Sequence, residues 1–228
     1  MTLQEQLDDF KTRFENGEFS FKPTRTQLDI MDRATSELID GKAAVRALEV
    51  GELAPSFVLK DTDGRTVRSE DILARGPLVV SFYRGVWCPY SNLDLQALEA
   101  SRAAIATHGA ELVAISPQSP ANSRMSQRQN RVGFPILSDP QGEVAVAFKV
   151  RFELPDYLVE LYKGIGINLP IVNDDSSWAL PMPARYVIAS DRTIAYAEVS
   201  PDYTRRPDPP VLLPVLERLR TASRHRSF

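Results

Sequence analysis

The sequence predicts an α/β sandwich in which helices flank a central mixed β-sheet. Residues 77–83 and 111–116 are nearly continuous apolar runs, which is typical of strands buried on both faces. Residues 89–107 carry apolar side chains at helical spacing between these runs, which completes a right-handed βαβ unit. Two further β-type runs flank a turn at residues 190–193, and the resulting antiparallel hairpin makes the sheet mixed.

A helical arm precedes this sandwich. One apolar stripe, at spacings of four, three and four, predicts a helix over about residues 2–15, and its members are Leu3, Leu7, Phe10 and Phe14. A second stripe predicts another helix through Leu28, Met31, Leu38 and Ile39. We therefore divide the chain into an arm, residues 1–47, and a domain, residues 48–228. The arm either packs against its own domain or forms the contact of a homodimer.

The shorter elements follow in order along the domain. A hairpin turns at Asp63-Gly64, helical segments are expected at 121–131, 143–148 and 211–219, and a short strand at 134–137. Residues 151–182 interrupt the alternation with prolines, glycines and an Asn-Asp-Asp run. This insertion is too long for an ordinary connection, so we expect either a lid or a small subdomain.

Composition excludes several classes of protein. The 27 basic residues against 30 acidic ones give a formal net charge of −3, which argues against a nucleic-acid partner. An acidic start and the lack of a long apolar run predict a cytoplasmic protein with no membrane contact. One cysteine and two histidines exclude an internal disulfide and are too few for a zinc site, so we expect neither metal nor cofactor.

The single cysteine occupies a reactive position. Cys88 lies between the buried strand and the next helix, and Pro89 suits the first helical position, so Cys88 belongs at or beside the N-cap. The positive end of the helix dipole and Arg84 predict a reactive thiolate there. Ser91 lies three residues on, on the same helical face, where its hydroxyl can donate to the sulfur or to a bound oxygen.

Four sequence blocks carry a resemblance to a known family. They are Gly-Glu-Leu-Ala-Pro-Ser-Phe at 51–57, Phe-Tyr-Arg-Gly-Val-Trp-Cys-Pro-Tyr at 82–90, Ile-Ser-Pro-Gln-Ser at 115–119 and Phe-Pro-Ile-Leu-Ser-Asp at 134–139. In this order they resemble peroxiredoxin-like proteins of the alkyl hydroperoxide reductase and thiol-specific antioxidant family, over about residues 50–220. The resemblance implies a thioredoxin-like fold, reduction of hydrogen peroxide or alkyl hydroperoxides by a cysteine, and an external thiol reductant such as a thioredoxin or glutaredoxin.

The sequence departs from the family at the second cysteine position. The members that look most similar carry Cys-Pro-Tyr-Cys, whereas this chain has Ser91 in the last place. Aligned with ordinary peroxiredoxins, Cys88 takes the place of a threonine or serine and Ser91 the place of the attacking cysteine. Either Ser91 is a natural or engineered loss of the attacking thiol, or Cys88 itself attacks as in thioredoxin and glutaredoxin motifs.

A second departure lies before a later strand. Peroxiredoxins carry an arginine where thioredoxins carry a cis-proline, and the matching residue here is Pro183. This favours a thioredoxin-like site and predicts a cis Met182–Pro183 bond in contact with the Cys88 sulfur. Arg185 would then supply positive charge from nearby.

Three functions are compatible with these residues. The first is a thiol peroxidase, in which Trp87, Pro89 and Tyr90 form an apolar rim around Cys88. The second is thiol–disulfide exchange, in which the mixed disulfide of Cys88 persists because Ser91 cannot resolve it. The third is a catalytically silent binding module that holds a partner with its arm and its insertion.

Overall fold

A seven-stranded mixed sheet forms the centre of the molecule, whose computed structural model describes residues 1–225. The strands are β1 Val58–Asp61, β2 Thr66–Arg68, β3 Leu78–Phe82, β4 Glu111–Ser116, β5 Ile136–Ser138, β6 Arg151–Glu153, β7 Ala179–Pro181, β8 Ala184–Ile188 and β9 Ile194–Val199. The order across the sheet is β2-β1-β5-β4-β3-β8-β9. Strands β3, β4 and β5 run parallel, while β8 and β9 pair antiparallel beside β3, so the predicted mixed sheet is confirmed.

Helices cover both faces of this sheet. They are α1 Leu3–Glu15, α2 Arg25–Asp40, α3 Ser69–Leu73, α4 Pro89–Thr107, α5 Pro120–Asn130, α6 Glu143–Ala147, α7 Asp156–Gly164, α8 Leu169–Asn173 and α9 Leu213–His225. All five residues of β3 are buried. Val79 packs with α4 and α9, whereas Val80 and Phe82 pack with α3 and α6. Within residues 1–225, no helix is long and apolar enough to cross a bilayer.

The predicted elements correspond closely to those observed. The helix expected at residues 89–107 begins and ends at those positions, and the hairpin of β1 and β2 is present. The last helix begins two residues late, because residues 209–212 form a 3-10 turn. The insertion, residues 151–182, contains the antiparallel pair of β6 and β7 and the helices α7 and α8.

The first helix of the arm packs on α4 and on the segment after β9. Thr2 caps α1 with a reciprocal capping box, which determines where the helix begins. The backbone N–H of Leu3 donates to Asp208 at 2.5 Å, and the Arg206 N–H donates to Gln4 at 3.0 Å. The apolar stripe of α1 thus packs against its own domain, which is one of the two arrangements that the sequence allows for the arm.

The second helix of the arm packs on the insertion. Thr24 forms the same kind of capping box at the start of α2. Glu37 accepts a hydrogen bond from the Tyr157 hydroxyl of α7, and the Arg33 guanidinium lies 4.1 Å from the centre of the Tyr157 ring. The two arm helices therefore bracket the edge of the domain at which α4 begins.

Candidate functional site

The cysteine caps the amino end of α4, as the sequence predicts. Cys88 has extended backbone angles and Pro89 occupies the first helical position. The Cys88 N–H donates to Gly85 at 3.1 Å, and the Cys88 carbonyl accepts the first helical hydrogen bond from Asn92 at 3.1 Å. Only 2% of Cys88 is exposed. The sulfur is therefore held at the positive end of the helix dipole in a nearly closed space.

The loop before the cysteine is held in one conformation. Gly85 has a φ of +146°, and a Cβ there would lie 2.6 Å from the Trp87 indole nitrogen, so a side chain does not fit. Gln118 accepts a hydrogen bond from the Val86 N–H at 2.7 Å, and Asn92 donates to the Val86 carbonyl at 2.8 Å. These contacts fix the conformation of the turn that immediately precedes Cys88.

Arg84 is the cation beside the sulfur. Its Nη1 lies 4.0 Å from Cys88 Sγ, its Nη2 donates to the Tyr162 hydroxyl, and the guanidinium lies 4.0 Å from the centre of the Tyr203 ring. Burial acts to lower the pKa of Arg84, but the charges of Tyr162 and Cys88 outweigh it and leave this pKa above its ordinary value. Arg84 thus stays charged beside the sulfur, where a guanidinium can hold a negatively charged oxygen.

Ser91 lies in the first turn of α4. It is fully buried, and its Oγ accepts a hydrogen bond from the Arg84 N–H at 3.3 Å. This bond places the serine against the backbone of the arginine and makes Ser91 a positioning residue for the loop.

A cavity of about 270 Å³ opens beside the sulfur, and we call it the Cys88 chamber. The loop and α4 contribute Arg84, Trp87, Cys88, Pro89 and Tyr90 to its wall. The arm contributes Phe10, Phe14, Phe21 and Met31, and the remaining lining residues are Tyr162, Ile165, Ile167 and Tyr203. Five of the predicted site residues are thus brought together, and Arg84 is the only charged side chain among the lining residues.

A second cavity, which we call the distal cavity, adjoins the first and measures about 400 Å³. It lies between α2 and the insertion. Four side chains line both spaces, namely Met31, Arg84, Tyr162 and Tyr203. These four side chains therefore lie between the Cys88 chamber and the larger distal cavity.

Arg185 is engaged elsewhere. Its Nη2 donates to Asp94 of α4 at 2.5 Å and its Nη1 to the Pro207 carbonyl at 3.0 Å. Arg206 approaches the same carboxylate at 3.8 Å, and burial lowers the pKa of this second arginine. Arg185 is absent from the lining of the chamber. Its guanidinium ties β8 to the helix that carries the cysteine.

The predicted cis bond before Pro183 is wrong. Every peptide bond in the described part of the chain is trans, and Pro183 lines the distal cavity rather than the Cys88 chamber. The reason is the extended path from β7 into β8. The Met182 N–H donates to Val150 at 2.8 Å, and the Pro183 carbonyl accepts from Ser200 at 2.9 Å. These bonds fix the chain on both sides of the proline without a turn.

Sequence reasoning missed several residues of the site. Tyr162 lies in the insertion, outside the four blocks, and Tyr203 follows the last strand, so no motif marked either residue. In the sequence Asp94 is indistinguishable from an ordinary helical carboxylate, and only the structure shows that it pairs with Arg185. The helical spacing of the arm's aromatic side chains predicted a packed apolar face, but it did not predict that this face would line the site.

Comparisons with known proteins agree with this architecture. A model of the AhpC/TSA family matches residues 50–197. The chain is 31% identical over 104 residues to a chloroplastic peroxiredoxin Q from Populus jackii, covering 46% of this chain and 48% of that protein. It is 30% identical over 105 residues to the thiol-disulfide oxidoreductase ResA from Geobacillus thermodenitrificans, covering 46% of this chain and 59% of that protein. The chain thus spans about half the length of these curated relatives.

A solved structure confirms the predicted fold. The crystal structure of peroxidoxin BcpB from Mycobacterium tuberculosis matches with a TM-score of 0.59 and 22% sequence identity. The match covers 75% of this chain and 97% of that chain. The central domain therefore has the thioredoxin-like fold, and the arm, residues 1–47, lies outside the region that the family model matches.

Proposed function

Because the chain belongs to the AhpC/TSA family, we propose that it is a thiol-dependent peroxidase with Cys88 as its nucleophile. The observation that carries this proposal is the position of Cys88 Sγ at the start of α4, 4.0 Å from the charged Arg84 and open to the Cys88 chamber. A serine hydroxyl forms no sulfenic acid, so Ser91 does not replace the thiol.

The reaction follows from these positions. The Cys88 thiolate attacks the terminal oxygen of a hydroperoxide, the S–O bond forms, and the O–O bond breaks as two electrons leave sulfur. The departing alkoxide takes a proton from solvent and leaves as an alcohol, while Cys88 becomes a sulfenic acid. Arg84 stabilises first the thiolate and then the negative charge on the departing oxygen.

An external thiol completes the cycle. Cys88 is the only cysteine of the chain, so the sulfenic acid reacts with a thiol from a thioredoxin, a glutaredoxin or a small molecule, releasing water and forming a mixed disulfide. A second thiol of the reductant then attacks this disulfide and regenerates the Cys88 thiol. The homodimer and the cytoplasmic location stay predictions, to be tested by analytical ultracentrifugation and by cell fractionation.

The test is to trap the intermediate and to measure turnover. Stoichiometric peroxide in the presence of dimedone should add one dimedone to the wild-type chain at Cys88 and none to the Cys88→Ser variant, as read by intact-mass and peptide mass spectrometry. Peroxide consumption with dithiothreitol should require the same cysteine. Ser91→Ala is the matched control and should retain turnover within about tenfold, because a positioning hydroxyl contributes about 1 kcal/mol. Peroxide consumption by Cys88→Ser at the wild-type rate would contradict the proposal.

Thiol–disulfide exchange is the second candidate. Cys88 occupies the N-cap position of α4 directly before a proline, a position from which a thiol can exchange with a disulfide. Incubation with a small disulfide should then give a mixed disulfide at Cys88 whose rate of formation exceeds that of sulfenic acid from peroxide. The ratio of these two second-order rate constants decides between the two activities.

A further inference from the structure

A third cavity, which we call the Asn173 cavity, lies between the start of β1, the start of α5 and the end of α8. It measures about 330 Å³ and shares no lining residue with the Cys88 chamber or the distal cavity. This volume is within the range of small-molecule sites in proteins. The Asn-Asp-Asp run of the insertion, which the proposed peroxidase reaction does not use, contributes Asn173 and Asp174 to the cavity wall.

Asn173 is a buried amide without a partner. The residue is 2% exposed, and within residues 1–225 neither its Nδ2 nor its Oδ1 has a hydrogen-bond partner. Burial in this state is costly, because both polar atoms lose water and gain nothing in its place. The neighbouring Val172 carbonyl accepts from the Ser119 N–H at 3.1 Å and from Asn122 Nδ2 at 2.8 Å, so the end of α8 is held against α5. The wall of the cavity therefore holds an unpaired donor and an unpaired acceptor side by side in a fixed place.

A peptide backbone satisfies both atoms of this amide at once. In an extended chain the N–H and the C=O of one residue point to the same side, as in the hydrogen-bonded pairs of an antiparallel sheet. The N–H then donates to Asn173 Oδ1, and the C=O accepts from Asn173 Nδ2. The ligand that matches Asn173 is therefore an extended peptide segment.

The other lining residues suit a short peptide with free ends. Lys60 and Asp174 are exposed and carry opposite charges, which match the carboxylate and the ammonium of such a peptide. Val58, Leu59 and Pro140 offer apolar contact to its side chains. A sphere of this volume is about 9 Å across, and an extended chain spans at most about 3.3–3.6 Å per residue, so about three residues fit.

We propose that the Asn173 cavity binds a free tripeptide with small apolar side chains, whose middle residue exchanges two hydrogen bonds with the Asn173 amide. This binding function goes beyond the proposed peroxidase reaction and does not depend on it, because the two sites share no lining residue.

The test is isothermal titration calorimetry of the full-length protein with trialanine as the probe. The wild type should bind trialanine, and Asn173→Leu should weaken the binding at least tenfold, because it removes two hydrogen bonds. Free alanine, which has both charges but no peptide group, should bind at least tenfold more weakly than trialanine. Without peptide, Asn173→Leu should be at least as stable as the wild type in urea titrations, since an apolar side chain replaces a buried, unpaired amide.

Two control variants separate this site from the rest of the molecule. Ile171→Ala is the matched control, because Ile171 lies on α8, is 74% exposed and lines none of the three cavities. It should bind trialanine as the wild type does. Cys88→Ser should also bind trialanine with unchanged affinity, so the loss of peroxide turnover in that variant leaves the peptide site intact.

The contrary outcomes are equally specific. N-acetyl-trialanine amide lacks both charges and should bind at least threefold more weakly than trialanine; equal binding would overturn the assignment to a peptide with free ends. No heat of binding at millimolar trialanine, or equal affinities for the wild type and Asn173→Leu, would overturn the site itself. A clear loss of stability in Asn173→Leu would contradict the unpaired state of the amide from which the inference starts.

Discussion

Removing the charge of Arg84 is the most direct perturbation of the site. Two unit charges at the 4.0 Å that separate Nη1 from Cys88 Sγ interact by about 4 kcal/mol at an effective dielectric constant of about 20. Loss of this energy could slow the attack on peroxide by at most about a thousandfold. Part of the charge moves from sulfur to oxygen in the transition state, so we expect Arg84→Met to slow sulfenic acid formation about a hundredfold.

The assay is stopped-flow fluorescence with excess peroxide under pseudo-first-order conditions. Trp87 lines the chamber and lies 4.8 Å from the Arg84 guanidinium, so it should report oxidation of the neighbouring sulfur. Arg84→Lys keeps the charge but loses the planar contacts with Tyr162 and Tyr203, and it should lose less than Arg84→Met. A rate for Arg84→Met within threefold of the wild type, with an unchanged circular dichroism spectrum, would refute the role of this arginine.

Three further variants test other parts of the structure. Asp94→Asn removes the counter-charge of two buried arginines and should lower the free energy of unfolding by about 3–5 kcal/mol in urea titrations; a loss below 1 kcal/mol would contradict the ion-pair network. Burial raises the pKa of Glu198, so its ionisation destabilises the folded state, and Glu198→Gln should gain stability relative to the wild type as pH rises through 4.5. Ser91→Cys should form a disulfide with Cys88 and increase peroxide turnover with a dithiol, since residues three apart on a helix lie about 5–6 Å apart. Unchanged turnover in a folded Ser91→Cys variant would mean that Cys88 acts alone.

Local sequence determined most of the secondary structure and the place of the cysteine. The helix at residues 89–107 and the strand through Val79 and Val80 follow from short-range patterns, because periodicity and apolar runs act within one element. Pro89 alone indicated that Cys88 caps a helix, since proline is tolerated where no N–H is needed.

Tertiary structure decided what surrounds that cysteine. Tyr162 and Tyr203 come from segments that lie 78 and 119 positions after Arg84, yet both contact its guanidinium. Arg185 is held by Asp94, a partner 91 positions away, and so does not take the place at the sulfur that the sequence allowed. Short-range patterns contain no information on such pairs, because they form only when the sheet brings distant segments together.

The arm shows the same division most clearly. Its stripe, from Leu3 to Phe14, determined two things by itself, namely a helix and an apolar face that must be covered. The structure adds that this face packs within its own chain, where the Leu3 N–H donates to Asp208, 205 positions along the chain. The sequence thus determined the helices, the strands and the position of Cys88 at the start of α4. The volume and the apolar lining of the Cys88 chamber were decided by packing, because they depend on how four distant segments fill the space around one sulfur atom.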